Sequence, residues 1–555
     1  MIGQTALTNA CAKNVAGGLL VEQPNFLFIT TDQQRADHLG CYGNQLLRTP
    51  AIDSLAARGT AFDRFYVACP ICMPNRAAII TGRMPSASGS RHNGIPLDRE
   101  CVTFVDILRA AGYHTGLVGK SHLQNIVGRE VQDRDIFERN CVGTPPPETL
   151  ADASKRRRTG PDYETELVSS WRETADRDGP ETPYYGFDYV RFANGHADNV
   201  HGHYTGWLAA RTNDPDALRG PGNALPSPGL SAPQSWRTAM PEELHPTTYI
   251  AETSEAFIDR HIQTRGDEPF FLHCSFTDPH HPFTPPGKYF DMYNPDDVDL
   301  PPSFWSVDPN EPAFLTRLRR DFMDGRASAR GGAPFCAGAE ETRQMIALTY
   351  GMITMVDDAV ARLLACLDDR GILEDTVVIF TSDHGDFMGD HGLMLKHGLH
   401  YEGVLRMPFI WADPDRPASA RSEVPASAVD IGASILARAG LAPNNGNQGL
   451  DVMALAVGKG GVERKGILIE EDELGAHLGT EKGLRTRTFI QDNWRLTVWQ
   501  GMEGGQLYNR DVDPHEMCNL WFDSNFAARR AEMTEAMLRE MIRLSDTAPF
   551  ATHVA

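Results

Sequence analysis

Asn25-Phe26-Leu27-Phe28-Ile29-Thr30-Thr31-Asp32-Gln33-Gln34 reads as a buried strand that ends on polar residues. A short apolar run rich in β-favouring residues and without polar alternation marks a strand covered on both faces, as in a parallel sheet flanked by helices. The same pattern returns at Thr376-Val377-Val378-Ile379-Phe380-Thr381, followed by Ser382-Asp383-His384-Gly385. Two such strands deliver carboxylates and an imidazole at their C-terminal tips, where open α/β sheets place their sites. Gly116-Leu117-Val118-Gly119 and Pro269-Phe270-Phe271-Leu272-His273 predict further strands. Helical patterns cover 53–59, 104–111 and 341–367. The fold class is therefore α/β, a large, mostly parallel mixed sheet sandwiched by helices.

A chain of 555 residues exceeds the usual size of one domain. The expected division is a catalytic α/β domain over 23–440 and a small C-terminal α+β domain over 441–555. Within the first, two proline- and glycine-rich stretches, about 125–245 and 285–340, read as insertions around a site rather than as core. Near the end, 466–470, 485–491 and 494–499 predict short strands of an antiparallel sheet. Phe526, Met533, Met537, Met541 and Leu544 then share one face of a terminal helix.

Composition narrows the function classes. The chain is 41% apolar and 23% charged, and no run reaches the roughly 20 apolar residues that span a bilayer, so no membrane anchor is expected. The first 22 residues carry Lys13 and a short apolar run at 15–21, too short for a secretory core, so a cytoplasmic location is expected. A net charge of -22 disfavours nucleic acid. It does not exclude a small anionic substrate, because local field outweighs net charge at contact distance. The basic run at 155–158 reads as a solvated loop. Ten cysteines scattered along the chain read as mostly reduced.

The chemistry concentrates in Cys69-Pro70-Ile71-Cys72-Met73-Pro74-Asn75-Arg76, which runs on to Thr81-Gly82-Arg83. A CxxC suits a redox pair or half a zinc site, but no second CxxC and no thioredoxin-like context accompany it. The spacing of Cys72, Pro74, Arg76 and Thr81-Gly82-Arg83 resembles the signature of type I, formylglycine-dependent sulfatases. These belong to the alkaline phosphatase superfamily, and the likeness is to its branch of arylsulfatases and phosphonate monoester hydrolases. The resemblance continues in order along the chain. Thr49-Pro50-Ala51-Ile52-Asp53-Ser54-Leu55-Ala56 resembles its TPNIDRLA segment, Gly119-Lys120-Ser121-His122-Leu123 its GKWHL segment, and Pro279-His280-His281-Pro282-Phe283 its PHxPF segment. Leu507-Tyr508-Asn509, Asp513-Pro514-His515-Glu516 and Asn519-Leu520 resemble pieces of its C-terminal domain.

The resemblance implies that a formylglycine-generating enzyme oxidises Cys72 to an aldehyde whose hydrate attacks a sulfate ester. It implies one divalent metal held by Asp32, Gln33, Cys72, Asp383 and His384. Arg76 would pair with the metal carboxylates and the hydrate, and Lys120 and Lys396 would neutralise sulfate oxygens. His122 would take the proton whose loss expels sulfate, and His280 with Lys396 would protonate the leaving oxygen. Asn93, Lys120, His280 and Lys396 form the implied substrate contacts. His281 reads as structural; His196, His201 and His203 are crowded enough to suggest a second metal site, but in that insertion solvent-facing or substrate-lining roles are expected. Tyr184, Tyr185, His201, Tyr204 and Trp207 suit either a substrate pocket or ordinary loop packing.

Two departures matter. Many family members carry a second aspartate at Gln33 and an asparagine at His384. The substitution removes one negative charge and adds a nitrogen, which favours manganese over calcium, although family habit keeps calcium ahead. Asp-Gln and Asp-His-Gly also occur in phosphonate monoester hydrolases, but those relatives lack the lysine and histidine of GKSHL. A small-molecule sulfate monoester is therefore the expected substrate. A phosphonate monoester or phosphodiester is the alternative, and a non-catalytic binding protein with an intact thiol is the third reading. Long insertions also suit a homo-oligomer.

Overall fold

Phe26 and Phe28 point to one side of the first strand and Leu27 and Ile29 to the other, and all four are buried. Side chains alternate across a strand, so a run that is apolar at every position demands cover on both faces. In this computed structural model each side belongs to its own hydrophobic core. Residues 23–553 are described, except 129–143, 145, 151, 155–156, 173–178, 330, 417–420, 459–463 and 474–482. The leader reading of 1–22 and half of the basic run at 155–158 lie outside the described residues.

Strands are numbered here in chain order. They are β1 (Asn25–Thr31), β2 (Thr60–Phe62), β3 (His114–Gly119), β4 (Tyr189–Phe192), β5 (Asn194–His196) and β6 (Asn199–His201). After them come β7 (Phe270–Ser275), β8 (Thr376–Ser382), β9 (Phe409–Ala412) and β10 (Arg421–Ser422). The large sheet has eight strands in the spatial order β10-β2-β9-β8-β1-β7-β3-β4. The run from β8 to β4 is parallel, and β9 is antiparallel to both neighbours. Thr31 lies opposite Ser382 and Gly119 opposite Ser275, so the carboxyl ends of four parallel strands finish level.

Helices α1 (Pro50–Arg58), α2 (Cys72–Thr81), α3 (Phe104–Ala110), α4 (Pro246–Arg265), α5 (Ala339–Asp369) and α6 (Asp430–Arg438) form the outer layers. Helices α2, α3 and α6 pack on the Phe26 and Phe28 face. The other face is covered by α1, α4 and α5. The long α5 begins two residues before its expected start because Glu341 folds back to accept the Gly338 N–H at 3.0 Å.

The C-terminal region is a four-stranded antiparallel sheet of β11 (Ile467–Asp472), β12 (Arg485–Gln491), β13 (Trp494–Trp499) and β14 (Gly505–Asn509). Helix α7 (Ala527–Arg543) lays Met533 and Met537 on it, with Phe526, Met541 and Leu544 alongside. Ile467, Leu468, Phe489 and Leu496 join the core that contains Phe26 and Phe28, so hydrophobic packing is continuous between the two sheets.

One expectation is corrected. The stretch 125–245 is not merely an excursion: β4 adds an edge strand to the large sheet, and Trp171, Tyr184, Phe187 and Phe192 enter its core. A four-residue edge strand set among prolines and glycines is too short to announce itself by periodicity. Among the described residues, no helix is long and apolar enough to cross a membrane.

Candidate active site

Every side chain singled out for chemistry meets at the level carboxyl ends of β1, β3, β7 and β8. Asp32 follows β1 and Asp383 follows β8, with the Gln33 N–H bonded to Asp383 Oδ1 at 3.0 Å. Cys72 opens α2, whose N-terminal end and dipole face the cluster and favour negative charge there. Asn75 locks that turn: its Oδ1 accepts the Ala68 N–H at 2.8 Å and its Nδ2 donates to the Asp383 carbonyl. Asn93 accepts the Met73 N–H at 3.2 Å, so it steadies the helix start beside Cys72. Lys120 follows β3 through Gly119, whose φ is 109° and where a Cβ would stand 1.9 Å from the Ser275 carbonyl oxygen. Only glycine allows that approach.

Asp32, Cys72, Asp383 and His384 each present one donor atom within 4.8 Å of the others, and all four are buried. His384 Nδ1 lies 2.8 Å from the Gly385 carbonyl oxygen, which can only accept, so the ring proton sits on Nδ1 and Nε2 offers a lone pair. Burial pushes this histidine down to about 4, which keeps it neutral. Nε2 lies 3.0 Å from Cys72 Sγ and 3.5 Å from Asp383 Oδ1. Two carboxylates, one neutral imidazole nitrogen and the residue-72 atom fit a divalent cation. Gln33 is at the same place. Its Oε1 accepts Lys396 Nζ at 3.0 Å, while its Nε2 reaches His281 Nδ1 at 3.1 Å and Asp386 Oδ2 at 2.5 Å.

Three cations interleave with these acids. Arg76 donates Nε to Asp383 Oδ2 at 2.7 Å and Nη1 to the Lys120 carbonyl and Ser275 Oγ. Lys120 Nζ pairs with Asp32 Oδ2 and lies 2.8 Å from His196 Nε2. Lys396 Nζ lies 3.1 Å from Cys72 Sγ, 2.8 Å from His384 Nε2 and 3.3 Å from His280 Nε2. Burial opposes ionisation of Asp32, but Lys120, His280 and Arg76 outweigh it and hold the carboxyl well below its usual range. For the Cys72 thiol, burial and Asp32 win over Lys396 and Lys120 and push it up.

His280 Nδ1 is 2.6 Å from the His281 carbonyl oxygen, so Nε2 is an acceptor facing Lys396. Among the described residues the buried Nδ1 of His122 has no hydrogen-bond partner, and burial with Lys120 and Arg76 lowers its pKa well below the ordinary value. Its backbone is pinned by Glu166, which accepts the N–H groups of His122, Leu123 and Gln124 at 2.7, 3.2 and 3.1 Å.

His281, read as structural, and His196, read as solvent-facing or substrate-lining, both belong to this cluster. His281 orients Gln33, and its ring stacks on His280 at 4.1 Å. The hairpin of β5 and β6 carries His196 over the cluster, stacked on His280 at 3.6 Å and touching Lys120. Glu166 and His196 both come from the 125–245 stretch, and no spacing in the sequence links them to the strand tips. The neighbouring histidines stay out. His203 accepts the Phe192 N–H at 2.9 Å and packs on Trp171, and His201 lies 3.1 Å from Asn199. Tyr184, Tyr185 and Tyr204 are buried in the core, which is the packing reading of those aromatics.

Comparison with known proteins follows the same lines. The family model for Sulfatase matches residues 24–441. The chain is 28% identical to the uncharacterized sulfatase YidJ of Escherichia coli over 539 residues, covering 96% of this chain and 90% of that one. It is 27% identical to an arylsulfatase of Clostridium perfringens, covering 94% of each. The crystal structure of the phosphonate monoester hydrolase of Agrobacterium radiobacter superposes with a TM-score of 0.71 at 24% identity, covering 94% of this chain and 96% of that one. The chain belongs to the sulfatase family, whose members are sulfuric ester hydrolases.

Proposed function

We propose that the protein hydrolyses sulfate monoesters, with Cys72 matured to formylglycine as its nucleophile. The observation that carries this reading is the presence of Lys120 and His122 in the same cluster as Asp32, Cys72, Asp383 and His384. The phosphonate monoester hydrolase branch shares the Asp-Gln and Asp-His-Gly pattern but lacks that lysine and histidine.

When bound, a divalent cation held by Asp32, Gln33, residue 72, Asp383 and His384 supplies positive charge for the sulfate oxygens and acidifies the formylglycine hydrate. Calcium is the first expectation from family habit and manganese the second, because His384 contributes nitrogen and Gln33 no charge. The chain's own residues do the rest. Lys120 and Lys396 bring two buried ammonium groups to one anion, in a site where fixed cations need no reorganisation as charge grows. Arg76 holds Asp383 in place, and its Nη2 has no hydrogen-bond partner among the described residues. Because His280 keeps its proton on Nδ1, the proton for the leaving oxygen comes from Lys396 Nζ, which His280 Nε2 orients. His122, neutral and unpartnered at Nδ1, is the base that restores the aldehyde. Asn93 supports the first turn of α2 against which the substrate would lie.

The test compares turnover of nitrophenyl sulfate with that of a phenyl phosphonate ester, with formylglycine content measured by mass spectrometry in the same sample. The expected result is preference for the sulfate in converted protein. A phosphonate preference of several orders of magnitude would overturn it, and full conversion without turnover of either ester would favour a binding role.

A further inference from the structure

The end of β11 and the residue after it carry four carboxylates in succession, Glu470, Glu471, Asp472 and Glu473, and none is more than 7% exposed. Alternation along the strand sends them two ways. Glu470 and Asp472 meet Arg487, at 3.7 and 2.9 Å. Glu471 and Glu473 face the loop after Lys396, where His397 Nδ1 lies 3.5 Å from Glu471 Oε1 and 3.1 Å from Glu473 Oε1. The three side chains offer donor atoms within 4.8 Å of one another.

One observation points to a ligand. Among the described residues Glu473 Oε1 meets only His397, and Oε2 has no hydrogen-bond partner, although the residue is 3% exposed. A buried carboxylate oxygen without a donor is costly unless a cation meets it.

We propose that His397, Glu471 and Glu473 form a second divalent-metal site, distinct from the strand-tip cluster. One imidazole and two carboxylates suit zinc or manganese. Glu471 is already oriented by His400 and the Gly398 N–H, as outer partners commonly orient metal carboxylates. Burial alone would lower His397, but Glu471 and Glu473 raise it to about 9. Metal competes with that proton and binds more tightly as pH rises toward 9. The site ties the C-terminal sheet to a strained loop: Leu395 and His397, which flank Lys396, have φ of 70° and 95°. Metal binding here does not depend on the sulfate-ester reading.

The test counts metal in full-length protein stripped with chelator, reloaded with manganese or zinc at pH 8 and desalted. Two tightly held equivalents are expected in the wild type and one in Glu473→Gln and His397→Asn, with circular dichroism to establish that each variant folds. A single equivalent in the wild type, or two in either folded variant, overturns the proposal and leaves the cluster an imidazolium ion pair. If neither variant folds, the wild-type count decides.

Discussion

The two carboxylate clusters of this protein are built in opposite ways. At the tips of the large sheet, Asp32 and Asp383 come from strands whose sequence positions lie far apart, and each acid has its own cation, Lys120 or Arg76. At the end of β11, four acids follow one another along the chain, and Glu471 and Glu473 face the histidines His397 and His400. Parallel strands that finish level let acids and cations be chosen independently, so each acid of the first cluster has its cation before any ligand arrives. Four consecutive acids leave no place for a cation among them, so the second must borrow charge from a facing loop or an ion.

Breaking the first cluster at its nucleophile has the largest expected effect. Cys72→Ala lowers kcat on an aryl sulfate by about 10⁴-fold or more and leaves thermal stability near that of the wild type, because no ion pair is lost. Initial rates and melting curves check this.

Lys120→Met is expected to cost about 10²–10³-fold in kcat and about 3–5 kcal/mol of stability, because Asp32 is left buried without its ammonium. Adding Asp32→Asn should recover much of the stability in urea titrations and none of the activity. Recovery of activity would mean that Lys120 serves the fold alone.

The second cluster responds to pH instead. In metal-free protein, His397 has a folded pKa raised from 6.5 to about 9, so its contribution is fully present below pH 6.5 and lost as pH rises through 9. The full effect is roughly 3 kcal/mol. Denaturation of chelated protein should show stability falling between pH 6.5 and 9, and His397→Gln should flatten that fall.

The smallest expected effect is at His196. Its stack on His280 is worth about 0.5–1.5 kcal/mol, so His196→Ala should lower kcat by roughly three- to tenfold. His196→Phe, which keeps the stack and loses the Lys120 contact, should recover part of it. No recovery would assign the effect to Lys120 contact rather than stacking.

How much of this was legible in the sequence depends on how local the signal was. The runs at 25–31 and 376–381 are apolar at nearly every position, which only burial on both faces explains, and their polar tips mark the site. Cys72 and Arg76 lie one helical turn apart, so a short string carries both. Strand β14 escaped because its apolar content is brief, and β4 because it is an edge of four residues. His196 and Glu166 escaped for another reason. Each sits in a stretch without periodicity, and each reaches the cluster only because β4 docks beside β3 and brings its hairpin over the strand tips.

The sequence by itself determined the α/β class, the strand tips and the chemical types gathered there, because burial periodicity and short motifs are local and survive without a fold. The tertiary structure alone decided which histidines serve the cluster, which proton each ring keeps, and that the acids of β11 confront the loop after Lys396. Those depend on how the folded chain brings its segments together, where a shift of an ångström exchanges a hydrogen bond for an unpaired charge.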